Sequence, residues 1–315
     1  MSVNVSMSAR LDKPIVVLGA ARSGTFLLTR LIEQHPDVVV WQEPNTVWRA
    51  GNARIGHDMI PAACATPDVI AHIRARFEEY RERHGARRFC EKTPANGLRL
   101  PFVLEVLPDA KLVHVIRDGR SVAVSARKKA MGNIDKISNP KEDHPESRPR
   151  GDSSRRIRAV ANAIKRRIGE GIPPRDLPYY VAKGVGSSLG MLGLKRSFVW
   201  GPEFPGMKSM LRTHSLIDVC AMQWKLTVDG VLDTVAARPG VDYLELRFEQ
   251  MVSDYENVAK QVFDFVELPQ PASLQPLSRR GFDQERNPFL EELSAAEQQI
   301  VYDRIGATLA RLGYS

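Results

Sequence analysis

Two apolar runs, Ile15–Leu18 and Leu112–Ile116, have the length and β-branched content of strands buried on both faces. Val38–Val40 is a β-prone run that leaves through the loop Trp41-Gln42-Glu43-Pro44; Phe89-Cys90 ends a further short strand, and Val241–Leu246 reads as another. Between these runs the apolar period changes to that of helices. Leu27, Leu28, Leu31 and Ile32 recur at spacings of three and four in a helix that begins near Thr25 and closes near His35-Pro36. Val69, Ile70, Ile73 and Phe77 do the same in Pro67–His84, with arginines and glutamates on the other face. Asn96 can cap a helix running to about Leu107, Ser215 one to about Ala237, and Glu249–Val266 forms another. Ser294-Ala295-Ala296-Glu297 is a capping box that opens a final helix ending at Gly313. Strands alternating with helices predict an α/β fold with a central parallel sheet.

The first strand carries the most informative turn. It empties into a loop bounded by Gly19 and Gly24, and the helix follows directly. Strand, glycine-bounded loop and helix N-terminus together aim backbone N–H groups and a positive dipole end at an anion. Ser23 and Thr25 add hydroxyls, and Arg22 adds a fixed charge at the loop tip. The expected fold is therefore a P-loop-like three-layer arrangement, a parallel sheet flanked by helices. The nucleoside-triphosphatase form of this loop needs Lys and then Ser or Thr after its second Gly. Here those two positions are Thr25 and Phe26. Losing the β/γ-phosphate lysine and the magnesium hydroxyl argues against ATP or GTP hydrolysis and suits an anionic donor handled without a metal.

The second buried strand empties into Arg117-Asp118-Gly119-Arg120, and a helix carries on through Ser121, Ser125, Arg127, Lys128 and Lys129. Ligands of open parallel sheets sit beyond the carboxyl ends of the strands. Arg117, and Lys92 from Glu91-Lys92-Thr93-Pro94, are expected on the rim that holds the phosphate loop. Glu43 leaves the neighbouring strand in the same way. His114 lies inside its strand and reads as a core histidine.

Taken together, these residues resemble a known family, the sulfotransferases that use 3′-phosphoadenosine 5′-phosphosulfate. The resemblance rests on G-x-x-R-S-G-T-x-L-L at Gly19–Leu28, His35-Pro36, E-K-T-P at Glu91–Pro94 and R-D-G-R-x-x-x-x-S at Arg117–Ser125, in the family's order. Gln223-Trp224 and the strand-to-helix unit Tyr243–Leu268 also fit. The resemblance implies that Arg22, Ser23, Gly24 and Thr25, with Phe26 beside them, hold the 5′-phosphosulfate. It places Arg117 and Ser125, helped by Lys129, on the 3′-phosphate. The Arg-Ser-Gly-Thr loop looks closest to tyrosylprotein-type and bacterial members. Cytosolic members carry a catalytic His after the Lys-Thr pair, where Pro94 stands here. In the tyrosylprotein type the base is a Glu downstream of the loop, and Glu43 matches it in spacing. Glu43, Lys92 and Arg22 are thus the expected catalytic set, with His57 and His214 as alternative bases. Arg247-Phe248-Glu249 stands where the family often has a Tyr-Glu pair, and Ser278-Arg279-Arg280-Gly281 matches the nucleotide-closing region only loosely.

Composition adds bounds rather than chemistry. A chain of 315 residues that is 43% hydrophobic can bury one large core plus an insertion, read here as a single domain over 1–315 with an inserted helical segment at about 130–213. The first residues lack the apolar core of a signal peptide, and no run reaches the ~18–20 apolar residues of a membrane span. Cys64, Cys90 and Cys220 are odd in number and form no C-x-x-C pair, which fits a reducing, cytoplasmic setting and offers no zinc site. The net charge of +8 is concentrated: from Arg148 to Ile168 eight cations stand against Asp152, leaving +7. Ile157, Val160, Ala161, Ile164 and Ile168 make that stretch an amphipathic helix. It reads first as a solvated face packed on the core, and otherwise as a contact with an anionic membrane or acidic acceptor. The resemblance implies adenosine 3′,5′-bisphosphate as product and a small-molecule, glycan or lipid acceptor, with a second copy of the chain as a further candidate partner and no nucleic acid. Other readings of the loop are a nucleotide or small-molecule kinase, and a non-catalytic anion or nucleic-acid binder.

Overall fold

A computed structural model describes residues 11–138, 171–176, 178–179, 200–275 and 288–314. Five strands, β1 (Ile15–Leu18), β2 (Val38–Gln42), β3 (Arg88–Lys92), β4 (Lys111–Ile116) and β5 (Tyr243–Arg247), form one parallel sheet in the order β2-β3-β1-β4-β5. The phosphate-loop strand is therefore central. All four residues of β1 and all six of β4 are buried, as their unbroken apolar runs predict for strands covered on both faces. The edge strands β2 and β5 are half-buried and alternate more.

Alternation along β1 divides the core into two layers. Val16 and Leu18 join Trp48, Ile73, Phe77, Phe89 and Phe102 on one face. That layer is closed by α2 (Asn45–Trp48), α3 (Pro67–Arg83) and α4 (Leu100–Val106). Ile15 and Val17 join Leu28, Leu31, Ile32, Phe248 and Phe263 on the other. There the covering helices are α1 (Thr25–Ile32), α8 (Phe248–Ser253) and α9 (Tyr255–Phe265). Between α4 and α8 in the chain come α5 (Gly119–Ser138), α6 (Met207–Thr213) and α7 (Leu216–Ala237). After α9 follow α10 (Pro288–Glu292) and α11 (Ala295–Arg311). Helices α5, α7, α10 and α11 pack around Trp224, Val228, Phe289 and Ile305 as a further apolar cluster. Ser215 caps α7 through Asp218 N–H, and Ser294 with Glu297 forms the capping box of α11. Among the described residues no helix is long and apolar enough to cross a membrane.

Four local expectations change. Trp41 and Gln42 extend β2, because Gln42 pairs with Lys92 in the parallel register. Asn96 caps no long helix. It lies in a 3-10 turn, Pro94–Arg99, and its side chain is drawn inward to Glu91 Oε1 at 2.5 Å. The helix expected over Glu249–Val266 is two, broken at Asp254. Helix α5 continues to Ser138, past the expected start of the insertion at 130, and α6 falls within the insertion's range. The basic stretch 148–168 and Ser278–Gly281 lie outside the described residues.

Candidate active site

The register brings Leu18, Gln42, Lys92, Ile116 and Arg247 to one rim of the sheet. From Leu18 the chain turns through two glycines that nothing larger can replace. Gly19 has φ 149°, and a Cβ there would lie 2.7 Å from the Val115 carbonyl. Gly24 has φ 97°, and its Cβ would lie 2.3 Å from the Phe248 ring. Arg22 also adopts a positive φ, 78°, a strain of the kind that clusters at ligand clamps. We expect Gly24→Ala to destabilise the fold by at least ~1–2 kcal/mol from backbone conformation alone. A lowered urea midpoint at unchanged m value checks this.

The turn has the form of an anion cradle. Ser23 N–H donates to the Ala20 carbonyl at 3.0 Å, which closes the loop. The Ser23 side chain is buried, and its hydroxyl has no hydrogen-bond partner. Gly24 supplies no side-chain cap to α1, whose first turn carries no acidic residue, so the positive end of the helix is open toward the loop. Thr25 is buried as the first residue of α1, while Phe26 is exposed on its flank.

Two arginines converge beside this cradle. Arg22 Nε donates to Ser125 Oγ at 3.0 Å, from the loop to α5. Arg117 Nη1 donates to the Arg22 carbonyl at 3.4 Å, and its guanidinium lies over the Phe248 ring at 4.7 Å. Burial, aided by the neighbouring Arg22 charge, lowers the Arg117 pKa, and Glu249 opposes the shift. The Arg22 charge opposes that of Arg117, and Glu249 offsets it in part. Lys129 is exposed one turn beyond Ser125 on α5. Arg120, the second arginine of the R-D-G-R motif, is committed elsewhere: it forks onto the Asp118 carboxylate at 2.8–3.1 Å.

On the other side of β1, the end of β3 brings together Lys92 and Glu43. Lys92 Nζ donates to Glu43 Oε1 at 2.9 Å, with Lys92 buried and the Glu43 side chain 50% exposed. Glu43 has φ 55°, and its N–H donates to the Lys92 carbonyl at 2.8 Å. The pair is thus tied through both side chain and main chain, with the carboxylate facing solvent.

The histidines sit elsewhere. His114 is fully buried, its pKa lowered to about 3 by burial, and its Nδ1 meets the Tyr243 hydroxyl at 2.9 Å. His57 belongs to the loop after α2, where its carbonyl accepts from Arg49 at 2.9 Å. His214 ends α6, with Nδ1 2.8 Å from Thr213 Oγ1. Gln223 and Trp224 are buried: Gln223 donates to the Trp200 and Pro202 carbonyls, and Trp224 Nε1 donates to the Arg117 carbonyl at 3.2 Å.

In two parts of the site the sequence marks the residues but not their contacts. The β5–α8 corner packs Phe248 against both Gly24 and Arg117, and Glu249 accepts from Asp118 N–H at 3.2 Å and from the Tyr314 hydroxyl at 3.1 Å. The second is a buried polar cluster around Glu91. Its sequence signals are the E-K-T-P motif and a charged residue next to the apolar pair Phe89-Cys90.

Residues 14–146, from the start of β1 to beyond α5, match the family model described as the Sulfotransferase family. Over that segment the chain is similar to the sulfotransferase family. Similar proteins include a protein-tyrosine sulfotransferase of Drosophila melanogaster, 31% identical over 126 residues that make up 36% of this chain and 25% of that protein. Protein-tyrosine sulfotransferase A of Caenorhabditis elegans is 31% identical over 121 residues, 35% of this chain and 32% of that one. The chain thus spans less than half the length of the curated relatives it matches. A sulfotransferase structure from Mycobacterium avium aligns over 96% of this chain and 77% of its own, with 13% identity and a TM-score of 0.49. Within the matched segment, the phosphate loop, Lys92, Arg117 and Ser125 lie at the rim described above, whereas His35-Pro36 precedes β2 at the other end of the sheet.

Proposed function

We propose that this chain transfers the sulfuryl group of 3′-phosphoadenosine 5′-phosphosulfate to an acceptor hydroxyl, or less favourably an amine, by in-line displacement. The observation that carries the reading is the buried, unpartnered Ser23 hydroxyl, set in a loop whose helix end is open and whose neighbours are Arg22 and Arg117. That donor set fits a phosphate-linked anion. The donor supplies an activated sulfuryl group whose leaving oxygen gains negative charge as the bond breaks. Ser23, Gly24 and Thr25, with the α1 N-terminus, would hold the 5′ side, flanked by Phe26. Arg117, Ser125 and Lys129 would hold the 3′-phosphate. Arg22 and Lys92 place positive charge where it favours the transition state over the ground state. Glu43 is positioned to take the acceptor proton, since its carboxylate is half-exposed at the rim.

Thr25 and Phe26 replace the lysine and the metal-binding hydroxyl of the kinase-type loop, which disfavours the kinase alternative. The positive groups converge on one strand-end cradle, whereas a nucleic-acid binder spreads them over a face. The acceptor classes proposed are a small molecule, a glycan or a lipid, to which the names of the animal relatives add a tyrosine phenol. Peripheral contact of 148–168 with an anionic membrane is a further proposal resting on charge. Three free cysteines support a reducing, cytoplasmic setting.

The test is ligand binding. Wild-type protein binds adenosine 3′,5′-bisphosphate, and Arg117→Ala weakens that binding ~10–100-fold, the scale of a charge-assisted hydrogen bond. Affinity for adenosine 5′-monophosphate, which lacks the 3′-phosphate, changes little. Calorimetry showing no bisphosphate binding by wild type overturns the function, and equal losses for both ligands overturn the Arg117 assignment.

A further inference from the structure

Beneath the Lys92–Glu43 pair lies a carboxylate that the proposed reaction does not use. Glu91 precedes Lys92 in β3, so the two side chains leave opposite faces of the strand. Its carboxylate is fully buried and accepts three hydrogen bonds. Oε2 receives Trp48 Nε1 at 3.0 Å and Thr93 Oγ1 at 3.0 Å, and Oε1 receives Asn96 Nδ2 at 2.5 Å. Asn96 Oδ1 in turn accepts from Arg99 Nε at 2.8 Å, and the buried Arg99 guanidinium lies over the Trp48 ring. A buried carboxylate is expensive unless its partners are well placed. The neighbouring strand interiors are apolar, so a carboxylate at this position calls for a reason.

The reason lies in where its donors sit. Thr93 directly follows Lys92. Trp48 ends α2, a four-residue helix that begins two residues after Glu43. A helix that short has negligible stability of its own and takes its position from tertiary contacts. Trp48 supplies them through its edge contacts with Phe77 and Phe102 and through its bond to Glu91. The main chain of Glu43, already at positive φ, is held between the Lys92 carbonyl on one side and the first residues of α2 on the other.

We propose that Glu91 is a positioning residue: by gathering Trp48, Thr93 and Asn96 onto one carboxylate, it sets α2 and the end of β3 against each other and so fixes the Lys92–Glu43 geometry. This rests on the sulfotransferase reading for its kinetic consequence but not for its structural one. Glu91→Gln keeps the shape and turns an NH2 group toward donors. Trp48→Phe keeps an aromatic side chain, removes one donor and gives up the five-membered part of the buried indole.

Two readouts test it in the full chain. The first is the rate at which acetic anhydride acetylates Lys92, followed by mass spectrometry. Lys92 is buried and paired, so it reacts slowly in wild type. Glu91→Gln raises its rate about tenfold and Trp48→Phe raises it less, within the range of couplings between neighbouring residues. The double variant reacts no faster than Glu91→Gln alone. The second readout is kinetic. With 3′-phosphoadenosine 5′-phosphosulfate and an alcohol acceptor, Glu91→Gln lowers kcat by about tenfold and leaves the bisphosphate Kd within about twofold. In a Glu43→Gln background the same change has little further effect, because it acts through Glu43. A folded Glu91→Gln protein with wild-type Lys92 reactivity overturns the inference. So does an undiminished kcat effect in the Glu43→Gln background. Should Glu91→Gln fail to fold, Trp48→Phe alone decides, and unchanged Lys92 reactivity in that variant is the overturning result. A wild type that neither binds the bisphosphate nor turns over removes the sulfotransferase reading, while the labelling readout still judges Glu91.

Discussion

Glu43→Gln lowers turnover with an alcohol acceptor by ~10²–10⁴-fold, the range general-base catalysis contributes. The substitution preserves the side-chain oxygen that accepts from Lys92 at 2.9 Å, so the local shape persists while the proton acceptor is lost. Bisphosphate affinity stays near wild type, because the residues proposed for the nucleotide lie on the phosphate loop, β4 and α5 rather than on β2. The loss depends on the acceptor. An acidic phenol gives up its proton with little help and suffers a smaller fall than an alkyl alcohol. A purely structural role for the pair predicts a different pattern. With Glu43 half-exposed, the ion pair contributes at most ~1 kcal/mol after solvent screening, and the change would appear in the melting temperature and not in kcat. Full turnover by a stably folded Glu43→Gln protein overturns the assignment and returns attention to His57 and His214.

Lys92→Met has the other large effect, a ~10²–10³-fold fall in kcat, the usual consequence of removing one preorganised donor from a transition state. Met matches the length and apolar stem of Lys and can fill the buried path along which the ammonium reaches the rim. The residual Glu43 carboxylate is half-exposed and stays solvated, so the cost in stability is small. Turnover and ground-state affinity separate here as well: the developing charge on the leaving oxygen is stabilised by Lys92 more than the bound donor is. The double variant Glu43→Gln, Lys92→Met loses less than the product of the two single losses, because each group orients the other. Strict multiplicativity, measured by the full cycle of kcat values, shows instead that the two act independently.

The central strands and the phosphate loop were legible from local pattern. β1 and β4 are covered on both faces, so they are written as unbroken apolar runs, and the glycines of the loop stand where only a residue without Cβ fits against Val115 and Phe248. Loop, R-D-G-R motif and Ser125 are each local signals, and their order along the chain indicated which strands end on one rim. β3 and β5, by contrast, read Arg-Phe-Cys-Glu-Lys and Tyr-Leu-Glu-Leu-Arg. Their polar positions are tolerated because partners arrive from elsewhere in the fold, such as Trp48 and Asn96 for Glu91.

The sequence by itself determined the strand-loop-helix turn with its two glycines, the α/β class and the residue types around that turn, because each depends on backbone conformation and burial within a few residues. Only the tertiary structure decided that Arg22 rests on Ser125, 103 residues away, that Phe248 closes on both Gly24 and Arg117, and that Lys92 meets Glu43 above a buried Glu91. Those contacts join segments that parallel strand pairing brings side by side, and no local period encodes which distant residue a strand end will face.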